Sequence, residues 1–423
     1  MRKNVFVSLV VLFAFLLASS ATPAAPAEEA PAAEAPAAEA PAAEEASAAE
    51  EDVCAADRYG CAVIPAGQTI KIGMGSPMTG GDSAFGIDAE NSGLLAVADA
   101  GTFEGFSFEL VAEDDGGTAE GGAAVANKHV ADPTVVGIAG HLFSGATAAA
   151  IPIYEEAGLP MLSQSATNPT LTTLGSSVFN RVPFTDAKQG AAAAEYIYNT
   201  LGFRKIAVLH DGEDYGRGLA TIVKESFEAL GGEVVAFEGI TSKEADYSPV
   251  LTTIAAKEPE LLYFGGYTQD GSVLANQMKS TGLENAVFFG CDGTFGTDFL
   301  NRAGVNAEGS YHAIPRTPPA TDAKAKFDAA YLEAYGVGPG ELSPFSWNSY
   351  DVTTVLISKV KELGFVGADG AMYIPRGALV DAVRNLTDYT GISGTYTCNE
   401  VGECNVEGPQ FMVVQDGAFV PAN

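Results

Sequence analysis

Gly140 to Thr172, GHLFSGATAAAIPIYEEAGLPMLSQSATNPTLT, contains two strand-to-helix turns in succession, each with hydroxyl side chains where the backbone leaves the strand. The apolar run Val135 to Ala139 just before it reads as a buried strand. Ser144, Gly145 and Thr147 then open an Ala-rich helix that ends near Gly158. Leu159 to Leu162 is the next short strand, followed by Ser163, Ser165 and Thr167 and by the turn pair Asn168-Pro169, which starts another helix. Ligands of open α/β sheets sit at the carboxyl ends of strands, where helix N-termini offer unpaired N–H groups and the positive end of a dipole. One Ser or Thr before a helix is an ordinary N-cap. Two such turns side by side form a cradle for a carboxylate.

The chain on either side repeats the alternation. Thr69 to Gly73 is a short strand leading into Ser76-Pro77-Met78-Thr79-Gly80-Gly81, a Gly-rich loop before a helix that begins near Ile87. That loop has neither the Gly-Lys-Ser/Thr ending of a P-loop nor the GxGxxG order of a dinucleotide site, which argues against a nucleotide. Strand Phe106 to Glu113 and helix Thr118 to Val130 complete a βαβαβ run with the strand at Val135, so a parallel sheet with right-handed crossovers is expected. A second series follows Arg181-Val182-Pro183. It has helices Ala187 to Leu201, Tyr215 to Leu230, Tyr247 to Ala256 and Gly271 to Thr281, and strands Lys205 to His210, Glu233 to Phe237, Leu261 to Gly265 and Val287 to Gly290. Beyond Tyr311 to Pro315 the pattern turns helical, over Asp322 to Tyr335 and Ser346 to Leu363, and the tail carries strands near Ile392 to Thr397 and Gln410 to Gln415.

A chain of 423 residues exceeds what one compact core holds, so two domains are expected. Arg2 and Lys3, the apolar Val5 to Ala18 and Ser19-Ser20-Ala21 match the three parts of a secretory signal, with cleavage expected after Ala21. The apolar segment falls short of the roughly 20 residues of a membrane span. Residues 22–52 repeat Ala-Pro-Ala-Ala-Glu with nine acidic side chains and no large apolar ones, the composition of a disordered tether. The total charge is −32, and setting aside these two segments leaves −25 on the rest. With 22 Lys plus Arg against 54 Asp plus Glu, cationic patches for nucleic acid or anionic lipid are hard to assemble. Of five cysteines, Cys54 pairs by spacing with Cys61 and Cys398 with Cys404, leaving Cys291 free. No pair has metal-site spacing, and neither a metal nor a cofactor is expected.

The turns at GHLFSGAT and IYEEAGLPMLSQSATNPTLT resemble the branched-chain amino-acid-binding proteins of ABC transporters, which are type I periplasmic binding proteins; the likeness runs from about Ile70 to Val420. The resemblance implies two doubly wound α/β lobes joined by three crossover segments, near Pro183, Arg316 and Val406. Lobe 1 is expected over 66–185 and 317–405, and lobe 2 over 186–316 and 406–423. It implies further that Ser144, Ser165, Ala166 and Thr167 meet an amino acid's α-carboxylate and ammonium on the first lobe. The segment HDGEDYG at 210–216 resembles the family's HD-x-x-x-YG, which makes Tyr215 a cleft residue. Tyr267 and Asp292 sit where the family has a second tyrosine and the acid that pairs with the ammonium; Asp292 is shorter than the family's Glu. Phe85 aligns with an aromatic that covers the ligand, and Phe345 or Trp347 with another, while Met78 and Phe143 would help to build the side-chain end of the pocket.

The implied function is capture of a small amino acid, branched-chain or otherwise apolar, by a periplasmic or extracellular monomer that delivers it to the membrane permease of an ABC importer. Amide, urea and aromatic-acid binders share the fold, as do receptor modules. A hydrolase finds little support: His141 lies three residues before Ser144 and His210 adjoins Asp211, yet no GxSxG elbow occurs. These histidines read as strand-end residues satisfied by backbone groups.

Overall fold

The computed structural model describes residues 53–405 and 407–422. The expected signal segment (1–21) and tether (22–52), together with Val406 and Asn423, lie outside the described residues. The first strand, β1 (Cys61–Ile64), is followed by β2 (Ile70–Ser76), β3 (Thr102–Phe103), β4 (Phe106–Asp114), β5 (Val135–Ala139), β6 (Met161–Ser163) and β7 (Phe179–Arg181). The last six form one sheet in the order β3-β4-β2-β5-β6-β7, parallel apart from the short antiparallel β3. Every residue of β5 and all but one of β2 are buried, as expected of strands covered on both faces. Helices Ser83–Ala100, Ala119–Ala131 and Ser144–Ala157 supply the crossovers, and the Thr118 hydroxyl caps the second by accepting from the Gly121 N–H.

A second sheet begins with β8 (Lys205–His210), β9 (Glu233–Gly239), β10 (Leu261–Gly265), β11 (Val287–Gly290) and β12 (Tyr311–Ile314), all parallel. The chain then returns through helices Asp322–Tyr335 and Ser346–Leu363. The latter packs Val352, Val355 and Leu356 into one core with Ile70, Ile72 and Leu162 of the first sheet. Strands β13 (Phe365–Val366) and β14 (Met372–Pro375) join β1 in a small antiparallel sheet, and β15 (Tyr389–Thr390) pairs with β16 (Thr395–Tyr396). Finally β17 (Gln410–Gln415) and β18 (Ala418–Pro421) add antiparallel strands beside β12. The chain thus passes between the two sheets three times: after β7, after β12 and before β17.

Three expectations change. The second sheet is mixed, because β17 and β18 arrive from the far end of the chain and extend it antiparallel. The helix expected from Gly271 starts at Thr268, with Tyr267 as its extended N-cap. The strand expected over 392–397 shrinks to β16, since Ile392 and Ser393 give their N–H groups to the Asp351 carboxylate, both at 2.8 Å, rather than to a sheet. Cys54–Cys61 and Cys398–Cys404 are both bridged, and Cys291 is a buried free thiol. Within the first bridged loop Asp57 accepts from the N–H groups of Gly377 and Ala378 at the start of helix Arg376–Arg384, at 2.8 and 2.9 Å, and Arg58 forks onto Asp381. Among the described residues no helix is long and apolar enough to cross a membrane.

Candidate functional site

A narrow cavity lies between the carboxyl ends of the two sheets. Phe85, Leu142, Phe143, Ser144, Ser165 and Phe345 line it from the first-sheet side, and Tyr215, Tyr267, Asp292 and Gly293 from the second. Seven of the nine residues expected at a ligand therefore stand around one space. Ala166 and Thr167 do not line it: both side chains are fully buried behind the loop. Nor do Met78 and Trp347, whose indole N–H instead donates to Asp328 at 2.8 Å.

The loop 165–168 is held almost atom by atom. Ser163 Oγ donates to the His141 carbonyl (2.7 Å) and accepts from the N–H groups of Ser165 and Ala166 (3.3 and 2.9 Å). Ser165 Oγ donates to the Leu142 carbonyl (2.7 Å), and the Asn168 N–H reaches Ser144 Oγ (3.3 Å), so the two hydroxyl-bearing turns are tied to each other. Arg181, at the end of β7 and fully buried, donates to the carbonyls of Ala166 (3.2 Å) and Asn168 (2.7 Å). The Thr167 carbonyl accepts from the Asp186 N–H at 3.0 Å. Two backbone groups of the loop remain without a hydrogen bond among the described residues, the Thr167 N–H and the Ser165 carbonyl. Buried main-chain groups are rarely left so. Beside them lies the N-terminus of helix Ser144–Ala157, which favours negative charge.

The opposite wall is anionic. Asp292 opens a tight turn after β11 and is 3% exposed, accepting from the Tyr215 hydroxyl (2.7 Å) and from Gln189 Nε2 (2.5 Å). Burial pushes its carboxyl up to about 6, opposed by those two hydrogen bonds. Asp292 makes no ion pair among the described residues, and its donors are neutral. Asp186, buried beside the Thr167 hydroxyl, is also raised, by burial first and then by the charge of Asp292; the Thr167 hydroxyl and Arg181 act against this. Gln189 was not among the expected site residues. It sits in the first turn of helix Asp186–Glu195 with no local signature, and only the fold brings it to Asp292, 103 positions away.

One wall thus offers N–H groups and the other an unpaired carboxylate, a match for the two ends of a zwitterion. A family model for periplasmic binding proteins matches residues 69–416. This chain belongs to that family. Among its relatives, a leucine-, isoleucine-, valine-, threonine- and alanine-binding protein of Pseudomonas aeruginosa is 33% identical over 302 residues, covering 71% of this chain and 80% of the relative. The crystal structure of a leucine-binding protein from Thermotoga maritima superposes with a TM-score of 0.75 at 27% identity, covering 84% of this chain and 98% of the other. A branched-chain amino-acid transporter substrate-binding protein from Streptococcus pneumoniae, solved with isoleucine, gives 0.74 at 26% identity over 83% and 98% of the two chains. The fold is that of a type I periplasmic binding protein.

In this periplasmic binding protein the two sides of the cleft touch. Asn168 Nδ2 donates to the Asp214 carbonyl (2.7 Å), the Gln269 N–H to Asp82 (2.9 Å) and Arg302 to the Gly81 carbonyl (3.1 Å). Phe143 from the first side stacks on Tyr267 from the second, with ring centroids 3.8 Å apart and planes at 13°. The arrangement is a closed one.

His141 departs from expectation. It is bound by side chains rather than backbone groups: Nδ1 lies 2.7 Å from Asp115 and Nε2 3.0 Å from the Tyr154 hydroxyl. Both ring nitrogens are occupied away from Ser144, which removes the imagined Ser–His pair. His210 does bind backbone, accepting from the Gly212 N–H at 3.1 Å. Cys291, one residue before Asp292, does not line the cavity; its thiol donates to the Gly266 carbonyl at 3.3 Å, and burial pushes it up to about 12, with the charge of Asp292 adding to the shift. Because the thiolate is the reactive species, iodoacetamide at pH 8 should label Cys291 only after unfolding. Mass spectrometry that finds rapid labelling of the native protein would contradict this placement.

Proposed function

We propose that this protein captures a small amino acid, branched-chain or otherwise apolar, outside the cytoplasmic membrane and delivers it to the permease of an ABC importer. The observation that carries the reading is the pairing of complementary, otherwise unsatisfied groups across the cleft: the Thr167 N–H, the Ser165 carbonyl and a helix N-terminus on one side, and Asp292 on the other. The α-carboxylate sits at Ser144 and the Thr167 N–H, while the ammonium lies between the Ser165 carbonyl and Asp292. The side chain meets Phe85 and Phe345. Amides, ureas and aromatic acids lack the ammonium and would leave Asp292 buried without a cation, which costs several kcal/mol. The names of the relatives point the same way.

Residues 66–185 and 317–405 would move as one lobe, and 186–316 with 406–423 as the other. Since neither lobe alone meets both charged ends, the ligand stabilises the closed form over the open one by its difference in affinity for the two. A thermal-shift screen of the twenty amino acids should single out leucine, isoleucine or valine. Small-angle scattering should then give a smaller radius of gyration with that ligand than without. A bound amino acid that leaves the scattering profile unchanged would remove the closure mechanism.

A further inference from the structure

The closed cleft has two compartments. Inside is the narrow cavity lined by Phe85 and Phe345; outside is a wider, more open chamber whose walls include Thr79, Thr118, Glu213 and Lys243. Phe143 and Tyr267 alone belong to both linings. Their stacked rings are the partition between them.

The partition is rigid on the Phe143 side. Phe143 is the residue that precedes helix Ser144–Ala157, and its carbonyl accepts from both the N–H and the hydroxyl of Thr147, each at 2.9 Å, so its backbone is fixed by the helix start. Its ring meets Phe85 edge-on at 5.9 Å and lies on Gly117, where a Cβ would come within 2.6 Å of the ring. Gly117 also has φ +69°, so both its conformation and the ring above it require glycine. With Gly117 below, Phe85 at its edge and Tyr267 on its face, the ring is packed on three sides and cannot swing aside without losing those contacts.

Resting on the amino-acid reading above, we propose that Phe143 is the specificity-determining residue that limits ligand side chains to branched aliphatic size and excludes aromatic ones. A phenyl or indole group occupying the inner cavity must displace Phe143 from Gly117 and from Tyr267. The Phe143–Tyr267 stack is also one of the contacts that hold the cleft shut. An oversized ligand therefore loses closure as well as fit. Trimming Phe143 joins the cavity to the chamber and lifts the limit.

The test is calorimetric titration of wild-type protein, Phe143→Ala and Phe143→Leu with leucine and with phenylalanine. In the wild type, leucine should bind at least tenfold more tightly than phenylalanine, the scale on which a misfit in an apolar pocket discriminates. In either variant that ratio should fall at least tenfold, with phenylalanine gaining in absolute affinity. A wild type that binds phenylalanine as well as leucine overturns the inference, as does an unchanged ratio in a variant that still binds leucine. If Phe143→Ala does not fold, Phe143→Leu, close to it in apolar character, decides alone. A folded wild type that binds no amino acid overturns the functional reading instead, and is told apart because no ratio can then be measured.

Discussion

Replacing Asp292 with asparagine should weaken amino-acid binding by about 2 to 5 kcal/mol, the cost of removing one partner from a buried charged pair, which is roughly 30- to 5,000-fold in Kd. The same change should make the ligand-free protein more stable. The two effects have one origin. Asp292 is 3% exposed, and its donors, Tyr215 and Gln189, are neutral, so burial holds its carboxyl at about 6 in the folded protein against an unfolded value of 3.8. A carboxyl raised on folding favours the folded state when protonated, and that contribution is lost as pH rises from about 4 to about 6. Above pH 7 the closed form without ligand therefore carries a cost of about 3 kcal/mol, which asparagine removes and which opening of the cleft relieves in part. Denaturation of ligand-free wild type and Asp292→Asn should show the variant ahead at pH 8 and the gap narrowed at pH 4.5. Ligand affinity of the wild type should run the other way, full above pH 7 and falling as pH drops through 6, because the ammonium needs the carboxylate. Undiminished affinity in the asparagine variant would remove Asp292 from the site.

Arg181→Met should destabilise the fold by about 3 to 5 kcal/mol and take ligand binding with it. Arg181 is fully buried, and its guanidinium serves the carbonyls of Ala166 and Asn168, the Thr172 hydroxyl and Glu403, the last two at 3.0 Å. Methionine fills similar volume but strands two loop carbonyls and a carboxylate. Arg181→Lys should recover little, since a single ammonium cannot span partners that a planar fork reaches together. Urea denaturation and calorimetry on both variants check this, and a lysine variant with wild-type stability and affinity would show that the fork has no special role.

Local pattern carried much of the fold. Lys205–His210, Leu261–Gly265 and Val287–Gly290 are strands with the bounds expected, because short apolar runs between turn signals have few other uses, and Asp322–Tyr335 and Ser346–Leu363 are helices with the bounds expected as well. Strand β7, Phe179-Asn180-Arg181, was hidden because two of its three residues are polar and form no apolar run, and β1, β13 and β14 by their partners: Cys61 pairs with Pro375 across a separation that no local pattern can signal. The site divides in the same way. Tyr215, Tyr267 and Asp292 follow strand ends and could be placed through the resemblance, whereas Gln189, Arg181 and the Asp115–His141–Tyr154 chain are assembled by packing alone. Thr167 shows the limit of reading by residue type. Its hydroxyl turns toward Asp186, and its main-chain N–H is the group left without a hydrogen bond among the described residues.

The bridged loop at Cys54–Cys61 clasps helix Arg376–Arg384 through Asp57 and Arg58, and β1 buries Ala62 and Ile64 in the core of the first sheet; β18, near the other end of the chain, is the outer edge of the second sheet. The two ends of the described chain thus ride on opposite jaws. If the lobes move as proposed, anything that holds the protein by its amino-terminal side grips one jaw and leaves the other free to swing. Dyes on Val53 and Ala418, both exposed, would act as the arms of a caliper whose opening reads cleft closure one molecule at a time.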